Sequence, residues 1–154
     1  MESPLPIRDN DEALVDVGTS APLRVAGTVL LRRGLVDRLV TAQSLLPRAV
    51  RLFLVAGHRA TDSSCAAQTA HRTGGAVDLT LSGGGPDQDA PPLPDCWADP
   101  VALPPEKVRA LLTSALSSAG LVNDPARWWH WSYGDRFWAH VTNAPYARYG
   151  PVPG

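Results

Sequence analysis

Three patterns in the sequence predict an α+β domain: a small, mostly antiparallel sheet carrying two amphipathic helices. Apolar residues recur at helical spacing near residues 34–46 and 106–119. Short runs rich in β-branched and aromatic residues stand at 50–55, 76–81 and 127–132. Glycines and prolines punctuate the intervals. With 154 residues, 44% hydrophobic and 19% charged, the chain is long enough to bury one core, so a single domain over 1–154 is expected.

Residues 1–22 are polar and proline-containing and are expected to be a loose lead-in. Arg24 to Leu31 reads as a short strand or the start of a helix. Leu35, Val36, Leu39, Val40, Leu45 and Leu46 lie at helical spacing and Pro47 follows, which predicts a helix over about 34–46. Val50 to Val55 predicts a strand running into Gly57-His58-Arg59. Thr61 to Ala70 reads as a loop or short helix. The Gly74-Gly75 pair breaks the chain, and Ala76 to Leu81 alternates as a strand does. Residues 82–105 hold three consecutive glycines and seven prolines; a loop this long in a compact domain is functional or mobile. Pro105 suits the first turn of a helix that carries Leu111, Leu112, Ala115, Leu116 and Ala119 and is capped by Gly120. A tryptophan-rich strand follows, then a hairpin turn at Gly134-Asp135 and a second strand over Phe137 to Thr142.

The net charge of −1, from 14 basic and 15 acidic residues, gives no general attraction to nucleic acid or to an anionic membrane. No apolar run approaches the roughly 20 residues that span a bilayer. Residues 1–16 lack a basic-then-apolar pattern, so no secretory signal is expected and the cytoplasm is the expected compartment. Cys65 and Cys96 make neither a disulfide scaffold nor a CxxC zinc site. Oligomeric state leaves no mark in the sequence.

Arg127-Trp128-Trp129-His130-Trp131-Ser132-Tyr133 is the most unusual stretch. On a strand, Trp129 and Trp131 share one face, while Trp128, His130 and Ser132 share the other. The tryptophans are expected to be part core and part pocket wall. His71 and Asp78 flank the glycine pair. Two imidazoles and a carboxylate, His71, Asp78 and His130, are the ligand set of an open zinc (Zn2+) site. Spacing alone leaves chance open, because the chain has four histidines.

Gly57-His58-Arg59, the segment His71-Arg72-Thr73-Gly74-Gly75-Ala76-Val77-Asp78-Leu79-Thr80-Leu81, and Trp128-Trp129-His130-Trp131-Ser132-Tyr133-Gly134-Asp135-Arg136-Phe137-Trp138-Ala139 together resemble the D-alanyl-D-alanine dipeptidase family. This is the vancomycin-resistance type within the zinc D,D-peptidase group, which includes the hedgehog signalling domain. The resemblance covers about residues 25–142. It implies that fold, zinc on His71, Asp78 and His130, and Arg59 projecting into the site to stabilise charge on the attacked carbonyl oxygen. The serine usually two residues before the first zinc histidine is Thr69 here, which keeps the hydroxyl for a substrate. Trp129 and Trp131 are expected at the substrate.

The departure is at position 127. The family has Glu-Trp-Trp-His, and this chain has Arg127-Trp128-Trp129-His130. The family's glutamate is the general base. Arginine stays protonated and cannot serve as one, and such a base contributes about 100- to 10,000-fold. The segment that shapes the family's dipeptide pocket is replaced by the Gly- and Pro-rich 82–105. Three readings follow. Zinc acts as a Lewis acid in a cyclisation, elimination or isomerisation of a small carboxylate-bearing substrate in specialised metabolism, with Arg127 anchoring the carboxylate. Alternatively, a D,D-dipeptidase or amidase persists with a substitute base, for which Asp135, His140, Glu106 and His58 are candidates. The third reading is a zinc-stabilised binding module. His140 is expected on the last strand as a partner of the site or a core histidine, His58 in a structural role, and Trp97 as a lid or latch.

Overall fold

The computed structural model describes residues 5–48, 50–58, 71–82, 106–125 and 127–152. The described residues form an α+β fold with a five-stranded sheet, a two-stranded sheet and four helices. In chain order these are β1 (Leu14–Asp16), α1 (Val17–Ser20), β2 (Arg24–Val25), β3 (Leu30–Arg32), α2 (Arg33–Ser44), β4 (Arg51–Ala56), β5 (Ala76–Ser82), α3 (Glu106–Ser118), β6 (Val122–Asp124), β7 (Arg127–Ser132) and α4 (Arg136–Thr142). The larger sheet runs β2-β4-β5-β7-β6. Only the β2–β4 pair is parallel, so the sheet is mostly antiparallel, as the sequence predicts.

Local sequence explains the main elements. Along β4, Leu52, Leu54 and Ala56 are buried while the residues between them are half-buried. The buried face of α2 is Leu35, Val36, Leu39 and Ala42. That helix stops at Ser44, short of Pro47, and Leu45 turns outward with 54% exposure. In α3, Leu112, Ala115 and Leu116 face the core, and α3 packs against α2, β5 and β6. Gly120 closes it with φ 97°, and Leu121 N–H donates to Leu116 O at 3.0 Å.

Three expectations are corrected. Residues 24–31 hold parts of two strands in different sheets. Phe137 to Thr142 is helix α4, and Gly134-Asp135 is its entry instead of a hairpin turn. The Asp135 carboxylate accepts the Trp138 backbone N–H at 2.9 Å, an N-cap, and Asn143 ends the helix in the left-handed region. His140 therefore lies exposed on a helix. The lead-in also belongs to the fold from residue 5 onward. It supplies β1 and α1, and Ile7 bridges Ala147. The segments 59–70 and 83–105, with Trp97, Cys65 and Cys96, lie outside the described residues.

Arg32 ties these ends together. It is 2% exposed and all its donors are used. Nε donates to Thr73 O, Nη1 to Asp9 Oδ1 and Glu12 O, and Nη2 to Asp9 Oδ2 and Gly150 O, at 2.7 to 3.0 Å. One guanidinium thus joins the lead-in, the C-terminal segment and the turn after His71. Tyr149, fully buried, donates its hydroxyl to Glu12 at 2.9 Å. Burial and the neighbouring Glu12 carboxylate push that hydroxyl's pKa up.

Arg32→Met leaves those carbonyls and Asp9 without their partner, and is expected to cost about 3–5 kcal/mol in urea unfolding. Hydrogen bonding to Arg32 outweighs desolvation and holds Asp9 below its ordinary 3.8. A depressed folded pKa stabilises above the unfolded value and is lost as pH falls through the folded one. The stability gap between wild type and Asp9→Asn should therefore be full above pH 3.8 and close on acidification, read by melts across pH 2–6.

Candidate metal centre

His71 enters from a tight turn that leads into β5. Gly74 has φ 73°, and a methyl there would stand 2.5 Å from Leu14 Cδ2, so this turn needs glycine. The turn is pinned from both sides. Arg32 N–H donates to Gly74 O at 2.9 Å, and Tyr133 N–H to Gly75 O at 2.8 Å. His71 Nδ1 lies 2.9 Å from Gly57 O. A carbonyl can only accept, so Nδ1 carries the proton and Nε2 is left with a free lone pair. Nε2 is buried and has no hydrogen-bond partner.

Asp78 and His130 are brought together by sheet register. They are directly opposed on the antiparallel β5 and β7, so their side chains emerge on one face. His130 Nδ1 is 2.8 Å from Asp78 Oδ1, and His71 Nε2 is 3.3 Å from the same oxygen. The imidazole rings meet edge to face at 5.1 Å. All three residues are at most 2% exposed. Burial by itself would raise the Asp78 carboxyl, but the adjacent imidazoles of His130 and His71 outweigh it and bring the pKa down to about 2.

One ligand atom from each of His71, Asp78 and His130 lies within 4.8 Å of the others. Two donors about 2.0 Å from a tetrahedral zinc stand about 3.3 Å apart, which the His71–Asp78 separation matches. The orphaned Nε2, the ionised carboxylate and the two-nitrogen, one-oxygen donor set all fit a divalent cation of zinc type.

The strand that carries His130 is bulged. Pairing with β6 goes from Asn123↔Trp131 to Asp124↔Arg127, leaving three β7 residues between. Asn123 Nδ2 donates to Arg127 O, Trp128 O and His130 O at 3.1, 3.3 and 3.0 Å. Arg127 pairs with Asp124, its Nε donating to Oδ2 at 2.8 Å and its Nη2 to the same oxygen. Trp131 packs in the core and donates its indole N–H to Trp128 O at 3.0 Å; Trp129 is buried against Trp128. Arg59 and Thr69 lie outside the described residues.

The candidate bases separate clearly. His58 Nε2 is bonded to Val152 O at 2.7 Å, and Glu106 and His140 are exposed on helices. Asp135 is buried, with one oxygen capping α4 and Oδ2 without a hydrogen bond. Burial raises its pKa despite the Trp138 N–H, Ser132 and the charges of His130 and His71. Asp135 also borders a cavity of about 220 Å³ together with Arg72, Thr73, Phe137 and Tyr149. The sequence did not disclose the roles of Asn123, Arg32 or Asp9. The cap at Asp135 had a trace: Phe137, Trp138 and Val141 follow it at helical spacing, and Asn143 stands at the end.

No protein family's model matches the chain. A D-alanyl-D-alanine dipeptidase from Synechocystis sp. is 38% identical over 53 residues, covering 30% of this chain and 22% of the relative. The chain thus spans about a fifth of that relative's length. A dipeptidase-like segment and a buried His-Asp-His cluster able to hold a metal ion therefore occur in one chain.

His71→Ala removes the lone orphaned donor of the cluster. It should weaken zinc binding by more than the about 10–100-fold usual for losing an outer hydrogen-bond partner, measured by chelator competition.

Proposed function

We propose that this chain is a zinc-dependent enzyme of dipeptidase-like descent whose chemistry is non-hydrolytic: a cyclisation, elimination or isomerisation of a small carboxylate-bearing substrate. The observation that carries the reading is the convergence of His71, Asp78 and His130 in a buried cluster beside a strand that has Arg127 where the resembled family has its glutamate base. Zinc bound there supplies Lewis acidity that polarises a substrate carbonyl. Gly57 O fixes the His71 tautomer. Asp78 stays ionised throughout the working pH range. Arg127 cannot take a proton. Asp124, the carboxylate nearest to it, already accepts twice from that guanidinium through Oδ2. The Arg127 side chain places positive charge near the bulge, which favours an anionic substrate group.

A second reading, a D,D-dipeptidase or amidase with a substitute base, is favoured by one observation. Asp135 is buried, has a raised pKa, keeps an unbonded Oδ2 and feels the charges of both histidines. A carboxyl shifted in that direction holds a proton more readily than an ordinary aspartate, as a proton carrier must. Asp135→Asn keeps an oxygen to cap α4 while removing the proton acceptor.

Purified protein is expected to hold about one zinc per chain, and chelation to lower its melting temperature, since a ligand at about 1,000 times its Kd adds about 4 kcal/mol. D-Ala-D-Ala should release no D-Ala above background, and Arg127→Glu should gain zinc-dependent release. Release by the wild type that Asp135→Asn abolishes would replace the first reading by the second.

A further inference from the structure

We propose that Asn123 is a positioning residue of the metal centre: its side-chain amide, bridging the backbone pairs at either end, fixes the β7 bulge and with it the His130 imidazole. The proposal rests on the metal-centre reading above. In a regular antiparallel pair, each β7 carbonyl facing β6 would meet a backbone N–H. Here the register passes from Asn123↔Trp131 to Asp124↔Arg127, so no β6 residue stands opposite Trp128, Trp129 or His130. Buried carbonyls in such a gap need other donors. Asn123 Nδ2 supplies them, reaching Arg127 O, Trp128 O and His130 O at 3.1, 3.3 and 3.0 Å. Two amide hydrogens serve three acceptors, so at least one is shared.

The consequence falls on His130. Its β5 side is set by pairing with Asp78. On its β6 side, the His130 carbonyl accepts from the Asn123 amide. The same amide holds Arg127 O at the far end of the bulge. One side chain thus bridges the metal-ligand end of the bulge and the arginine end. Bulges beside functional sites re-aim side chains in this way. Few residues can substitute. Aspartate has the shape but no donor, and would set negative charge against three carbonyls; alanine has neither donor nor reach; glutamine keeps the amide on a longer stem.

The test compares wild type, Asn123→Ala, Asn123→Asp and Asn123→Gln, with Val122→Ala as a control on the same strand. Cobalt(II) affinity is measured by chelator competition, the cobalt absorption spectrum reports ligand geometry, and the metal-free melting temperature reports the fold. Asn123→Ala and Asn123→Asp are expected to bind cobalt about 10–100-fold more weakly than wild type, with an altered spectrum. Val122→Ala should lower the melting temperature while keeping the wild-type affinity and spectrum. Wild-type affinity and spectrum in folded Asn123→Ala would overturn the assignment, as would an affinity loss in Val122→Ala proportionate to its melting shift. If neither Ala nor Asp folds, Asn123→Gln decides: weakened affinity with a shifted spectrum sustains the role, and wild-type values remove it. A wild-type chain that binds neither cobalt nor zinc takes down the metal-centre reading itself, a result distinct from an indifferent Asn123.

Discussion

The opposed pair Asp78 and His130 exists because β5 and β7 meet in one particular register. Side chains alternate across a sheet, so a slip of one residue would send Asp78 to the other face and bury a different set entirely. Val77 and Leu79, which flank Asp78, belong to the hydrophobic core. The register is therefore enforced by apolar burial on one face while it delivers polar ligands on the other. A buried carboxylate flanked by two imidazoles is otherwise an expensive arrangement. The hydrogen bond between His130 and Asp78 offsets part of that cost, and a bound cation would satisfy His71 Nε2.

His71 is not held by the sheet but by the turn before it, and the chain's two ends hold that turn. Arg32 reaches Thr73 O with Nε and Gly150 O with Nη2, while its backbone N–H reaches Gly74 O. Val152 N–H adds a bond to Arg72 O at 2.7 Å. Arg32, anchored by Asp9 and Glu12 of the lead-in, and the C-terminal segment thus act as a clasp around the first candidate ligand. Arg32 and Val152 supply hydrogen bonds that the turn cannot make internally.

What was legible in the sequence follows from the range of each interaction. Strands β4, β5 and β7 and helices α2 and α3 declare themselves because burial of a repeating face imprints a period on neighbouring residues. The three residues of the cluster could be named because metal binding restricts residue type, and a resemblance over the flanking residues joined segments far apart in the chain. The miss at residues 137–142 arose from Phe, Trp, Val and Thr, whose strand preference is weak beside tertiary packing; one buried side, Trp138 and Ala139, and caps at Asp135 and Asn143 make that segment helical. Strand β6 went unseen because it is three residues long and contains Asn and Asp, poor strand formers. Arg32 and Asn123 act mainly on carbonyl groups, which every residue has. Such partnerships leave no pattern in sequence and appear only once the chain is folded.

Arg127 shows how a positive charge can be absorbed locally. A guanidinium near a cluster able to hold a cation would repel that cation unless it is itself paired. The bulge sets Asp124 directly opposite Arg127, and the pair is largely shielded, with side chains 16% and 21% exposed. Much of the added positive charge is thereby cancelled within the β6–β7 turn, before it acts on the cluster. The pairing leaves the candidate ligands compatible with a cation, and it makes the geometry of the bulge, more than the identity of residue 127 alone, the feature that sets the charge beside the cluster.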